Sequence, residues 1–291
     1  MPMTRICETL TFGVEIETTV PYDTLDANRM TIGGYHAGIQ VPYLPAGWKA
    51  ERDASITSGR SGFTGCEIVS PILKGAAGIA EVIRAVETLN EKGHRVNKSC
   101  GVHVHVGFAG KSAEELSRLI TLVSFLEKGL YAVTGTKARE RSNWCMSTKK
   151  VSHYNSTEIK SAKQFLRHKA NEKYSILNVR PLTSDKKTVE FRVFSGSLDA
   201  VKVVGWIMAC LGIVEKALTD KRAMKWDAPD MTQSKTLGKG GIGATEVERL
   251  LFILGWGKKD KNYGWLDAGV EMKTIKTEFR RLAQKYDEAT A

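Results

Sequence analysis

None of the five cysteines in this chain (Cys7, Cys66, Cys100, Cys145 and Cys210) has a partner at CxxC spacing, and their number is odd. A disulfide framework and a zinc knuckle are therefore excluded, which leaves reduced, mostly buried thiols. A membrane-spanning run is missing too. The longest apolar stretch, Val203 to Val214 broken only by Gly205 and Gly212, is short of the roughly 20 residues that a bilayer requires and reads as a buried helix. The N-terminal "MPMTRICETLTFG" offers one arginine but no apolar core of signal-peptide length and no small-residue cleavage site. A cytoplasmic protein without membrane contact is expected. There is no Walker loop: "GKGGIG" at Gly238–Gly243 lacks the GKS/T ending and follows no strand. Internal repeats, low-complexity tracts and Ser-His-Asp or Cys-His nucleophile signatures are also absent.

What is present suffices for a well-packed core. The chain has 291 residues, 42% of them hydrophobic, enough for one large domain or a domain with an appendage. Forty-three Lys and Arg against 32 Asp and Glu give a net charge of +11, which suits a polyanionic partner such as a nucleotide, a nucleic acid or an acidic polymer. The charge is uneven. Between Lys137 and Lys173 there are ten basic residues and three acidic ones, a local net charge of +7, which fits a solvated surface and a binding face equally well.

Strand-like segments rich in β-branched or aromatic residues cover 9–20, 47–56, 65–73, 100–108, 174–182 and 188–196. Helical spacing of Ile79, Val82, Ile83, Val86 and Leu89 predicts a helix over 76–91, stopped near Gly93. Ser112 with Glu115 forms a capping box that opens a helix to about Val133. A basic amphipathic helix is expected over 157–170, an apolar one over 200–219 capped by Asp199, and a short one opened by Thr245 with Glu248. Adjacent strand pairs favour an antiparallel sheet with helices packed on one face, an α+β domain over 1–220. Beyond it, "TLGKGGIGATE" reads as a glycine-rich linker or loop, and 221–291 as a helical C-terminal appendage.

Alternation along a strand sorts side chains onto two faces. In "FGVEIET", Phe12, Val14 and Ile16 face one way while Gly13, Glu15 and Glu17 face the other. In "CGVHVHVGF", His103 and His105 oppose Val102, Val104 and Val106, and in "TVEFRVF", Glu190 and Arg192 oppose Val189, Phe191 and Val193. "GCEIVSP" adds Glu67 to an apolar strand. Singly, ExE reads as a solvated edge, HxH as polar surface or satisfied core histidine, and ExR as a salt bridge. Together they put Glu and His, rather than Lys, Thr and Ser, on the non-core face of several strands, with Gly13, Gly65, Gly101 and Gly107 letting a ligand approach. Paired carboxylates on one face repel unless a positive charge sits among them. Four Glu and a His without thiolates suit Mg²⁺ or Mn²⁺ better than zinc, and this many acids imply two or three ions. Ions beside basic residues constitute a phosphoryl-transfer device.

The order "FGVEIE", "WKAERDAS" with "GCEIVSPIL", "SCGVHVHVGF", "RSNWC", "YSILNVRPL" and "TVEFRVFSGSLD" resembles the amidoligase family of the glutamine-synthetase-like carboxylate–amine ligase superfamily. The likeness covers about residues 9–220. It implies a curved antiparallel sheet of glutamine-synthetase catalytic type that uses ATP and divalent metals to activate a carboxylate as an acyl phosphate, which an amine then attacks. Residue by residue, Glu15 and Glu17 resemble the paired first-strand ligands of two different ions. Glu67 resembles the acid that joins Glu17, with Asp53, separated from Glu67 by a 13-residue loop containing "SGRSGFTG", a further member. His103 resembles the imidazole ligand of the ion shared with Glu15 and Glu190, and His105 the second histidine, nearer substrate or phosphate. Arg192 resembles the arginine that meets the transferred phosphate. Arg180 and Arg141 match basic positions that touch ATP or the carboxylate, and Tyr174 and Asn178 match as well. The chain lacks the long insertions that fix the amine substrate elsewhere in the superfamily, so the two substrates, a peptide or acidic polymer among them, stay open.

Two other readings compete. The basic segment with Trp144, Tyr154 and Phe165 interleaved suits a nucleic-acid-binding protein or a metal-dependent nuclease. A hydrolase with His103 and His105 on one zinc would need further histidines and an aspartate, and only His36, His94, His153 and His168 remain.

Overall fold

The computed structural model describes residues 9–147, 173–219, 245–256 and 269–289. The helix expected over 157–170, most of the basic segment and nearly all of the glycine-rich stretch lie outside them, as does Cys7.

In chain order the elements are β1 (Thr11–Pro21), α1 (Tyr22–Asn28), β2 (Ile39–Gln40), β3 (Lys49–Glu51), β4 (Phe63–Val69), β5 (Leu73–Lys74), α2 (Gly75–Glu91), β6 (Gly101–Gly107), α3 (Ala113–Ala132) and β7 (Leu177–Asn178). A 3₁₀ turn (Arg180–Thr183), β8 (Thr188–Ser195), α4 (Ala200–Thr219), α5 (Glu246–Ile253) and α6 (Met272–Glu288) follow. The strands form one sheet in the order β2-β3-β4-β1-β6-β8-β7, with β5 pairing the start of β1. Every strand pairing is antiparallel, so the α+β architecture expected from the strand pairs is the one observed.

The period-two segments became the long central strands, because Val, Ile, Phe and Thr fit a pleated, half-buried surface. Segment 174–182 kept only the two-residue β7 and a bridge from Ser175 to Met146. Pro181 has no N–H for a ladder, and the chain turns into 3₁₀ there. Caps set the helix starts. Ser112 Oγ accepts from the Glu115 N–H while the Glu115 carboxylate accepts from the Ser112 N–H, and Asp199 Oδ1 accepts from the Lys202 N–H. Thr245 Oγ1 likewise accepts from the Glu248 N–H, and α2 ends just before Gly93, whose φ is +79°.

One face of the sheet (Phe12, Val14, Ile16, Val102, Val104, Val106, Phe191) is fully buried against α2, α3 and α4. Helix α4 is apolar all round: residues 203–214 are buried without exception, and Trp206 stacks on Phe194 at 5.0 Å between centroids. Such a helix is enclosed rather than amphipathic. The enclosing is done by α5 and α6, which pack on α3 and α4, so Leu250, Leu251, Ile275 and Phe279 belong to the same apolar cluster as the sheet. Among the described residues no helix is long and apolar enough to cross a membrane. Cys66, Cys100, Cys145 and Cys210 are free and buried.

Two positions generate predictions. At Gly205 a Cβ would stand 2.8 Å from Phe279 Cε1 and 3.0 Å from Ile275 Cγ2. Alanine gains about 1 kcal/mol of helix propensity, but overpacking costs about 1–3 kcal/mol. Gly205→Ala is therefore expected to lower stability in denaturant unfolding, and an increase would contradict this packing of α6 on α4. His94 is fully buried, with Nδ1 3.0 Å from Thr18 Oγ1 and Nε2 2.7 Å from Tyr43 Oη. Burial, helped by Arg95, pushes its pKa down to about 3. Below pH about 6.5 the unfolded chain takes up a proton that the folded one refuses, so stability falls as pH drops from there toward 3, by at most about 1.4 kcal/mol per pH unit. His94→Gln should flatten the stability curve in that window; parallel curves for variant and parent would show that His94 does not titrate as described.

Candidate active site

Above the non-core face of the sheet lies a cleft of about 1090 Å³, lined by residues of β1, β3, β4, β6, β7 and β8 and by the loops that follow them. Cross-strand register assembles its floor. Glu17 on β1 stands directly opposite Glu67 on β4, and Glu67 directly opposite Glu51 on β3. On the other flank Glu15 is opposite His103, and His105 opposite Glu190. Directly opposed residues have Cβ atoms about 5 Å apart, so the register converts four separate motifs into one constellation.

His103 is the hub. Its Nδ1 lies 3.4 Å from Glu15 Oε2 and 3.5 Å from Glu190 Oε1, and its Nε2 lies 3.6 Å from Glu17 Oε1. His105 receives or offers a hydrogen bond at Thr188 Oγ1 through Nδ1, at 3.2 Å. Its Nε2 is buried and pairs with Glu15 Oε1 at 3.0 Å. Arg192 Nη1 donates to Glu190 Oε1, Asn178 Nδ2 donates to Glu190 Oε2 at 2.6 Å, and Lys186 Nζ donates to Glu15 Oε1 at 3.2 Å.

These contacts divide the acids into two electrostatic classes. Burial alone would raise Glu15 and Glu190, yet both are held below the usual carboxylate range, Glu15 well below it. His105 is the chief cause at each, joined by His103 at Glu15 and by Arg192 at Glu190. His105 is correspondingly raised against its own burial by Glu15 and Glu190. Glu67 goes the other way: burial, followed by the charges of Glu15, Glu17, Asp53 and Glu51, pushes it well above that range. Among the described residues the acidic neighbours outweigh any cation at Glu67.

Three sets of donor atoms each lie within 4.8 Å of one another: Glu15, Glu67 and His103; Glu15, His105 and Glu190; Glu17, Asp53 and Glu67. The sets contain carboxylate oxygens with at most one imidazole nitrogen, which is the chemistry of a hard divalent cation. The crowding of Glu67 by other acids fits such an ion as well. Asp53 reaches Glu17 and Glu67 despite the intervening loop. His105 falls in a set with Glu15 and Glu190, and His103 in one with Glu15 and Glu67 while also approaching Glu190.

Arg180 and Tyr174 line the cleft at its β7 end together with Lys173 and Trp144, whose indole meets Tyr174 edge-on at 4.9 Å. Arg141 is not among the lining residues. It is exposed on the turn after α3, its N–H bonded to the Lys137 carbonyl, and its charge is felt at Tyr286. Sequence reasoning missed Glu51, Lys186 and Arg139. Glu51 carried a signal, since in the strand expected over 47–56 it would share a face with Asp53 two residues on. Lys186 carried none, because it sits in the turn before β8.

Fold and cleft together define an α+β protein whose open sheet carries a cluster of carboxylates and imidazoles beside a basic wall. The chain belongs to the family described as "Putative amidoligase enzyme", whose pattern matches residues 8–214 and so takes in every residue of the three donor sets. No curated protein matches it in sequence. Among solved structures it is similar to the complex between the prokaryotic ubiquitin-like protein Pup and its ligase PafA, at 11% identity and a TM-score of 0.45 over 97% of this chain and 64% of that one. It is also similar to a GmaS/ADP complex, at 14% identity and a TM-score of 0.42 over 97% and 71%. The chain thus spans less than two thirds of the length of PafA.

Crowding at Glu67 yields a prediction with opposite signs in two measurements. In the metal-free protein Glu67→Gln removes like-charge repulsion and is expected to raise the thermal midpoint by a few degrees. The same variant should weaken Mn²⁺ binding at least tenfold, read by calorimetry. A lowered midpoint with unchanged Mn²⁺ affinity would refute both halves.

Proposed function

We propose that this protein is a carboxylate–amine ligase that uses ATP and Mg²⁺ or Mn²⁺ to make an amide or peptide bond through an acyl phosphate. Membership of the amidoligase family supports this reading. The observation that carries it is the convergence of Glu15, Glu67, His103, His105 and Glu190 in one cleft, with Glu17 3.6 Å from His103 and Arg192 tied to Glu190. The donor sets would hold two or three cations, which supply charge neutralisation to the transferred phosphoryl group.

The chain's own residues would do the rest by position. Glu15, Glu17, Glu67, Glu190 and His103 present ligand atoms from neighbouring strands, Asp53 and His105 complete the sets, and Asn178 holds the Glu190 carboxylate in orientation. Arg192, half-buried and always charged, would face the γ-phosphoryl group in transit. Arg180, with Lys173 and Lys186 on the same wall, would draw ATP or the carboxylate in. Arg141, on the exposed turn, would touch ATP only from outside the cleft. The γ-phosphoryl group passes to a carboxylate oxygen and ADP departs. The amine nitrogen then bonds the acyl carbon, the bond to phosphate oxygen breaks, and the amine gives up a proton. No protein nucleophile is consumed, and rate comes from orientation and electrostatics. In this reading residues 1–220 carry the catalytic unit, 221–291 form an appendage whose helices α5 and α6 pack on α3 and α4, and the protein works in the cytoplasm.

No observation among the described residues favours the nucleic-acid reading. Of the basic segment's four described cations, Lys137 lies over the Tyr286 ring at 3.6 Å, Arg139 is buried and Lys173 lines the cleft.

Hydroxylamine as the amine probe tests the proposal, because it converts an acyl phosphate into a stable hydroxamate. With a pool of carboxylic acids, hydroxamate should form only when ATP and Mg²⁺ or Mn²⁺ are both present, with ADP in equal amount. Glu190→Gln and Arg192→Gln should each reduce the rate by about 10²–10³-fold. ATP-independent product, or both variants at the parental rate, would sink the assignment.

A further inference from the structure

The β6–β8 ladder slips between Val102 and Val104: Val102 pairs Phe194 but Val104 pairs Phe191, so Arg192 and Val193 together oppose the single residue His103. This is a β-bulge, a device that re-aims a side chain at the expense of local pairing. The Arg192 N–H donates to the Ile176 carbonyl beside β7 at 2.9 Å and its Nε to the Trp144 carbonyl at 3.5 Å, and the carbonyls of the bulge are held from outside the sheet. Arg139, on the turn after α3, is buried and donates from Nη2 to the Arg192 carbonyl at 2.5 Å and from Nε to the Val193 carbonyl at 3.3 Å. The two bulged residues thus share one planar guanidinium, whose rigid fork suits two neighbouring acceptors.

The surroundings of Arg139 are built to fit it. A Cβ on Gly101, the first residue of β6, would come within 3.2 Å of Arg139 Nη2 and 3.3 Å of its Nη1. A side chain there would press the guanidinium out of place by a few tenths of an ångström. The turn itself is pinned on both sides. The Cys145 thiol donates to the Arg139 carbonyl at 2.9 Å, and the Tyr131 hydroxyl donates to the Cys145 carbonyl at 2.7 Å. From α6, the Tyr286 hydroxyl bonds the Glu140 carboxylate.

We propose that Arg139 is the positioning residue of the cleft: by clamping the carbonyls of Arg192 and Val193 it fixes the β8 bulge that aims the Arg192 guanidinium at Glu190 and at the phosphoryl group of the nucleotide. The inference rests on the ligase reading for the nucleotide alone; the clamp is a property of β8. It also gives α6 a link to the site, through Tyr286 and the turn that carries Arg139.

A double-mutant cycle on the full chain tests it. Binding of a non-hydrolysable ATP analogue with Mg²⁺ is read by calorimetry, Mn²⁺ binding by electron paramagnetic resonance, and backbone hydrogen exchange over residues 191–195 by mass spectrometry. Arg139→Gln and Arg192→Gln are each expected to weaken the analogue about tenfold, and the double variant no further, since both disable one device. Arg139→Lys keeps the charge but cannot span two carbonyls, and should resemble Arg139→Gln. Mn²⁺ affinity is expected to hold in both Arg139 variants while exchange over 191–195 accelerates. Parental analogue affinity in Arg139→Gln, additive losses in the double variant, or a joint loss of Mn²⁺ and analogue from general unfolding would each overturn the proposal. If the parent protein binds no analogue, the ligase reading fails, and exchange alone decides the clamp: faster exchange in both Arg139 variants upholds it, unchanged exchange overturns it.

Discussion

Like charge placed in register across three strands is the constraint on which the site depends. Glu51, Glu67 and Glu17 form a row over β3, β4 and β1, with Glu15 two residues from Glu17 on the same face. Unit charges about 5 Å apart repel by about 3 kcal/mol at an effective dielectric constant near 20, so the row is tolerable only with compensation. The fold supplies it on one flank, where His103, His105, Lys186 and Arg192 stand against Glu15 and Glu190. On the other flank the charges felt most at Glu67 among the described residues are acidic ones. The carboxylates are thus crowded on the floor of the cleft, with Lys49, Arg52, Lys173 and Lys186 around them, a layout that suits cations beside an anionic group.

Holding such a row requires a rigid platform, and the opposite face of the sheet provides one. The residues alternating with the acids are Val14, Ile16 and Ile68, all buried, and they rest on helices that themselves rest on α4. Because α4 is apolar on every side, α5 and α6 are needed to cover it. The C-terminal helices therefore contribute to the precision of a site that they do not touch. At Gly205 this layering is tight enough that one methyl group would register.

Much of this was legible because a strand's period is two: "FGVEIET", "CGVHVHVGF" and "TVEFRVF" announced which side chains share a face, and capping boxes announced where helices begin. Register was not legible. That Glu67 faces both Glu17 and Glu51, and that His105 joins Glu15 and Glu190 in a donor set, depends on pairings between strands far apart in sequence. The resemblance pointed to Arg141 in the turn after α3, whereas Arg139, two residues earlier, is the arginine that turns inward; a turn has no periodicity from which to tell them apart. The β8 bulge was hidden for the same reason. Strict alternation put Phe194 on the face of Glu190 and Arg192, but the slip returned it to the core against Trp206.

The sheet's two edge strands, β2 and β7, are two residues long each. An open concave sheet exposes backbone donors and acceptors at its margins, and long flat margins recruit strands from other molecules. With so little ladder available at either end, there is almost nothing for a foreign strand to extend. The surface can stay open to small ligands across its face while remaining closed, at its borders, to growth by addition of further chains.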